Sequence, residues 1–87
     1  MLDKTFILFS FEKFEEPTAA LDKLKDLEKA RLIPLPSQID AGCGFALRIL
    51  ERDLPLALNR LTKRDYDGIF LMKRDKNGRM LIEKYVF

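Results

Sequence analysis

Apolar residues fall along this chain in two rhythms. Residues 5–11 (TFILFSF) form a nearly unbroken apolar and aromatic run, the pattern of a central strand with both faces partly covered. After Glu15-Glu16-Pro17 the spacing changes. Ala20, Leu21, Leu24 and Leu27 recur at helical intervals with Lys23, Lys25, Asp26 and Glu28 between them, so a helix is predicted over residues 17–29, opened by the proline. Residues 31–35 are a short extended piece. Pro34 and Pro36 deny it two backbone donors and confine it to a sheet edge or a strand end.

Alternation returns at Phe45–Leu50, where Cys43, Phe45, Leu47 and Ile49 share one face and Gly44, Ala46 and Arg48 the other. Asp53 stands at a helix N-cap position, and Leu54, Ala57, Leu58 and Leu61 form the stripe behind it. Gly68–Arg74 is a further strand. Asp75-Lys76-Asn77-Gly78 is a hairpin turn, and residues 80–87 are its partner strand. The predicted order is βαββαβ with one extra C-terminal edge strand. This is an α+β domain of the ferredoxin-like, split βαβ kind, with two helices on one face of an antiparallel sheet. Right-handed crossovers put the first and third strands at its centre. No linker or repeat interrupts the pattern, so residues 1–87 are read as one domain.

Composition narrows the chemistry. There is no histidine and only one cysteine, which excludes imidazole acid–base catalysis, a Cys–His dyad, CxxC redox chemistry and a thiolate zinc site. No GxGxxG or P-loop is present, so no nucleotide cofactor or metal is expected. The formal charge of +2 is too near balance to imply nucleic acid or an anionic membrane. No apolar run approaches the roughly 20 residues of a membrane span, and the N-terminal residues lack a signal-peptide cleavage site. One free thiol fits a reducing cytoplasm. These absences remove most enzyme classes.

The remaining candidate is Cys43, held between Gly42 and Gly44. Flanking glycines remove steric cover and let backbone N–H groups form a nest for an anion. A thiolate is the nucleophile wherever a cysteine reacts. Arg31 and Arg48 are the nearest cations in sequence and could clasp an anionic substrate or a partner's carboxylate. Pro34 and Pro36 stiffen the approach. The bland alternative is a small buried side chain beneath a tight turn, since Cys is among the most buried residue types.

The stretch RLIPLPSQIDAGCGFALR, residues 31–48, resembles the signature of the family described as putative selenium/sulfur carrier protein-like. That pattern has a basic residue, an apolar-Pro-x-Pro step, an isoleucine, then Cys-Gly followed by Ala-Leu-Arg. The similarity runs from residue 4 to about residue 70 and includes the Tyr66 turn. It implies that Cys43 carries sulfur or selenium as a persulfide or perselenide, between donor and acceptor proteins. Ser37 and Asp40 depart from the family's usual basic and small hydroxyl residues. Residues 80–87 extend past its usual end, where Phe70, Tyr85 and Phe87 could bury a homodimer contact.

Two alternatives come from other classes. One is an interaction module with an inert cysteine. The other is RNA binding, since Cys43-Gly44-Phe45-Ala46-Leu47 imitates part of the RNA-recognition-motif signature, but without its first basic residue and with Leu47 where a stacking aromatic belongs. A metal chaperone of the same topology would need CxxC in its first loop, and Ser10–Lys13 has none.

Overall fold

The structure is a computed structural model and describes residues 5–85. Its elements run β1 (Phe6–Ser10), α1 (Pro17–Lys23), β2 (Arg31–Pro34), β3 (Phe45–Leu50), a 3₁₀ turn (Glu51–Asp53), α2 (Leu54–Arg60), β4 (Gly68–Arg74) and β5 (Met80–Lys84). The five strands form one sheet in the order β2-β3-β1-β4-β5, and every neighbouring pair is antiparallel. The architecture is α+β. Among the described residues no helix is long and apolar enough to cross a membrane.

The apolar run of β1 has a physical reason. Its central position covers both faces of the strand, so Ile7, Leu8 and Phe9 are all sealed from water. Ile7 and Phe9 join Leu47, Ile49 and Ile69 beneath the two helices, where Ala20, Leu24, Leu54 and Ala57 complete the main core. Leu8, Ala46 and Met72 point the other way. Pro34 and its neighbours lie at the β2 edge, where missing donors cost the ladder least.

The first helix is shorter than its apolar spacing predicts. It ends at Lys23, and the chain continues in successive three-residue turns, with Leu24, Leu27 and Ala30 donating to the carbonyls of Leu21, Leu24 and Leu27. The apolar residues from Leu21 onward fall every third position, not at 3.6. A three-residue repeat keeps all of them on the core side where an α-helix would rotate the last ones away. Asp53 occupies the N-cap position of α2, but its side chain makes no capping bond. Tyr85 follows the end of β5, and residues 86 and 87 of the predicted strand lie outside the described residues.

Candidate functional site

The thiol site is built by the long β2–β3 connection, residues 35–44. The Leu35 amide donates to the Gly44 carbonyl at 2.9 Å and closes its base, and the Ile39 amide donates to the Pro36 carbonyl at 3.0 Å. Between these bonds the connection folds over the sheet face that carries no helix. Leu35, Ile39 and Ala41 pack there against Leu8, Ala46 and Met72, and Ile39 is only 4% exposed.

The chain then rejoins the sheet. The Cys43 amide donates to the Phe11 carbonyl at 3.0 Å, in line with β3 and beside the continuation of β1. Strand alternation turns the Cys43 side chain back to the helix-covered face, where the half-buried residue packs at the margin of the main core. Cys43 is therefore neither sealed nor fully open.

The two glycines differ. A Cβ on Gly42 would lie 2.8 Å from the Lys13 amide nitrogen and 3.2 Å from Glu12 Oε1, so backbone meets backbone there. A Cβ on Gly44 would meet nothing within 4 Å. Neither glycine has a positive φ, and the Cys43 amide is already bonded. The anion-binding nest expected from Gly-Cys-Gly is thus not formed, because a nest needs alternating right- and left-handed residues with free N–H groups.

Carboxylates gather beside this junction. Glu15 Oε1 accepts from the Glu12 amide at 2.8 Å and holds residues 12–15 in a tight turn. The Glu12 carboxyl is pushed above its ordinary range, first by the charge of Asp67, then by burial and a hydrogen bond to Asp67, with Glu15 and Asp40 adding to it. At the same end of the sheet lies a groove of about 430 Å³, walled by Phe14, Tyr66 and Tyr85 over Ile69 and rimmed by Glu12 and Asp67. Phe14 is 81% exposed. An apolar side chain isolated among the charged residues 12–16 is the signal in the sequence for this groove, and the core pattern does not absorb it.

Arg31 and Arg48 do not gather around the thiol. They are direct partners across β2 and β3 and lie on the face opposite Cys43. The Arg48 guanidinium sits 4.6 Å from the centre of the Phe6 ring, and Arg31 donates to the carbonyls of Ala30 and Glu28. Pro34 is exposed and Pro36 half-buried at the start of the connection. Phe70 and Tyr85 belong to opposite faces, so these two do not share one dimer patch; Phe87, the third residue of the expected contact, lies outside the described residues. The imitation of the RNA-recognition signature also fails on register: Leu47, at the stacking position, is sealed beneath the helices.

The class defined by these features is a small α+β fold with a single, half-buried cysteine packed at the margin of its core. Among the described residues no three Cys, Asp or Glu side chains form a group able to hold a metal ion. The chain belongs to the family described as Putative Se/S carrier protein-like, whose model matches residues 7–70. No curated protein and no solved structure matches the chain.

Proposed function

We propose that the protein is a sulfur or selenium carrier whose working atom is the Cys43 thiol. The reading rests on one observation: the only cysteine of a chain in this family stands half-buried at a strand entry. The Cys43 thiolate attacks the outer sulfur of a donor's persulfide. The donor's S–S bond breaks, a new S–S bond forms on Cys43, and the donor's inner sulfur leaves as a thiolate that takes up a proton. The carried atom keeps its oxidation state, so no external oxidant or reductant is needed. A second exchange of the same kind passes it to an acceptor thiol.

Half-burial suits the task. The apolar margin around the side chain shields a persulfide from solvent, and the Phe11–Cys43 bond fixes where it is presented. Under this reading the domain is a ferredoxin-like split βαβ sandwich with β5 added at one edge. It works in a reducing cytoplasm, with donor and acceptor proteins as partners, as a carrier and not as a complete catalyst. Gly42 and Gly44 frame the thiol, and Pro34 and Pro36 stiffen the connection that leads to it.

Intact mass after incubation with a cysteine desulfurase and cysteine tests the proposal. The expected result is a gain of one sulfur atom that a reductant removes and that Cys43→Ser abolishes. No gain with several desulfurases, while the folded thiol still reacts with a small alkylating reagent, overturns it. A second reading is favoured by the packing of Cys43 against the main core: an interaction module with an inert cysteine. In that case the thiol labels only at the rate of global unfolding.

A further inference from the structure

The sulfur exchange makes no use of the groove at the thiol end of the sheet. Phe14 stands within the charged run Glu12-Lys13-Phe14-Glu15-Glu16 and is 81% exposed. Two bonds close a turn around it: the Glu15 amide donates to the Glu12 carbonyl at 3.1 Å, and the Glu12 amide to Glu15 Oε1 at 2.8 Å. The turn holds the ring at the groove and out of the core. The facing rings are anchored too. Tyr66 packs edge-on against Phe9 with ring centres 5.0 Å apart, and the Tyr85 amide donates to the Ile69 carbonyl at 2.9 Å. Three aromatic rings thus wall a preformed space of about 430 Å³, within the size range of ligand sites.

The polar rim of that space is uncompensated. Glu12 and Asp67 lie within hydrogen-bonding reach of each other, and among the described residues neither is in an ion pair. Asp67 is the chief reason that the Glu12 carboxyl resists ionisation. A cation between the two removes that repulsion. Aromatic faces beside the carboxylates attract the same charge through the ring quadrupole. We infer that the groove receives an arginine side chain of a partner protein, its guanidinium meeting Glu12 and Asp67 and stacking among Phe14, Tyr66 and Tyr85. Guanidinium suits this mixture better than ammonium, because it is planar, weakly hydrated and able to pair with carboxylates while it stacks. Exposed Lys63 and Lys84 complete the rim, and among the described residues they too are outside any ion pair. They repel a run of basic residues and attract acids beside the arginine. The matching segment is therefore a lone arginine flanked by carboxylates. A free small cation leaves both lysines unmatched.

The inference is independent of the carrier reading, since no contact in it involves Cys43. Tyr66 and Tyr85 are the chain's two tyrosines and it has no tryptophan, so its ultraviolet-excited emission reports on this groove. A blocked Glu-Arg-Glu peptide titrated into the protein should change that emission saturably. Replacing its arginine with neutral citrulline should weaken binding about tenfold. Phe14→Ala removes an exposed ring, leaves the core untouched and should weaken binding by about two- to fivefold. Asp67→Asn should weaken it by up to about fivefold, whereas Lys25→Ala and Cys43→Ser should bind as wild type does. No saturable change with the peptide at millimolar concentration overturns the inference. Equal binding of the citrulline peptide does the same, as does wild-type affinity in both Phe14→Ala and Asp67→Asn. Agmatine that binds as tightly as the peptide assigns the groove to a free small cation and removes the partner protein.

Discussion

The sheet ends in two hairpins that are opposites in construction. The β4–β5 turn is made by its own residues. Asp75 exchanges backbone bonds with Gly78 and Arg79, its carboxylate accepts from the Asn77 and Arg79 amides, and Gly78 takes the left-handed φ of 83° that the turn needs. The β2–β3 connection has only two backbone bonds of its own and is held by the rest of the molecule: Ile39 in the sheet face, Gly42 against Lys13, Cys43 on Phe11. The candidate functional residue sits on the second kind. Its exposure is set by remote packing, so mutations distant from the thiol can tune its reactivity.

The largest test of that contrast is Ile39→Ala. Removing a buried isoleucine side chain from a core costs about 2–5 kcal/mol, and a surface-covering connection that can partly collapse belongs near the lower end. A fall of about 2–3 kcal/mol in urea unfolding is expected, together with several-fold faster alkylation of Cys43 under native conditions. Leu81→Ala in the other hairpin, 39% exposed, should change stability by no more than about 0.5 kcal/mol. Lost stability with unchanged alkylation would show that Ile39 does not govern access to the thiol. Next in size is Gly42→Ala, expected to cost about 1–3 kcal/mol because backbone must shift to admit a Cβ. Gly44→Ala should stay within about 0.5 kcal/mol. Equal effects at the two glycines would remove the asymmetry assigned to them.

The same contrast explains what the sequence disclosed. Asp75-Lys76-Asn77-Gly78 encodes its turn locally, and β3 and β4 match their predicted bounds because alternation within a strand is also local. The central placing of β1 was legible from its apolar run, and the edge placing of β2 from its prolines. What was hidden depends on long-range contact. Nothing near Ile39 says that it folds back onto Leu8 and Met72, and nothing near Gly42 announces Lys13. Alternation alone did place Arg48 opposite Cys43. Arg48 and Cys43 are close in sequence yet lie on opposite faces of the sheet, because closeness along a strand does not fix which face a side chain meets. The overlong helix has another cause, a repeat of three read as one of 3.6.

A smaller effect marks the self-contained hairpin. Gly78→Ala puts a Cβ on a left-handed residue, at about 1–2 kcal/mol. Because that turn is local, Cys43 alkylation should keep its wild-type rate once measured well below the unfolding midpoint. A change in thiol reactivity would mean that the two hairpins are coupled through the sheet.

The smallest effect is electrostatic and belongs to the thiol side. The native state raises the Glu12 carboxyl above its ordinary value of 4.5, chiefly through Asp67, so folded protein holds that proton more tightly than unfolded chain. Stability from this group is therefore full below about pH 4.5 and is lost as pH rises through the native value. Asp65 and Asp26 act in the opposite sense. Burial works against ionised Asp65, but the Lys23 ammonium and the Thr62 amide and hydroxyl outweigh it, and Arg60 lowers Asp26; both contributions are lost as pH falls. The wild-type curve sums opposing slopes, so the difference between Glu12→Gln and wild type isolates the one of interest. Glutamine keeps the shape and cannot ionise. The expected difference is a modest gain for the variant that grows from pH 4.5 upward and then levels off, read from urea midpoints at matched salt. Raising the salt concentration should shrink it, since the pair is solvent-exposed. Parallel curves for the two proteins would mean that Glu12 and Asp67 do not repel each other in solution, and the carboxylate rim beside Gly42 would lose its physical basis.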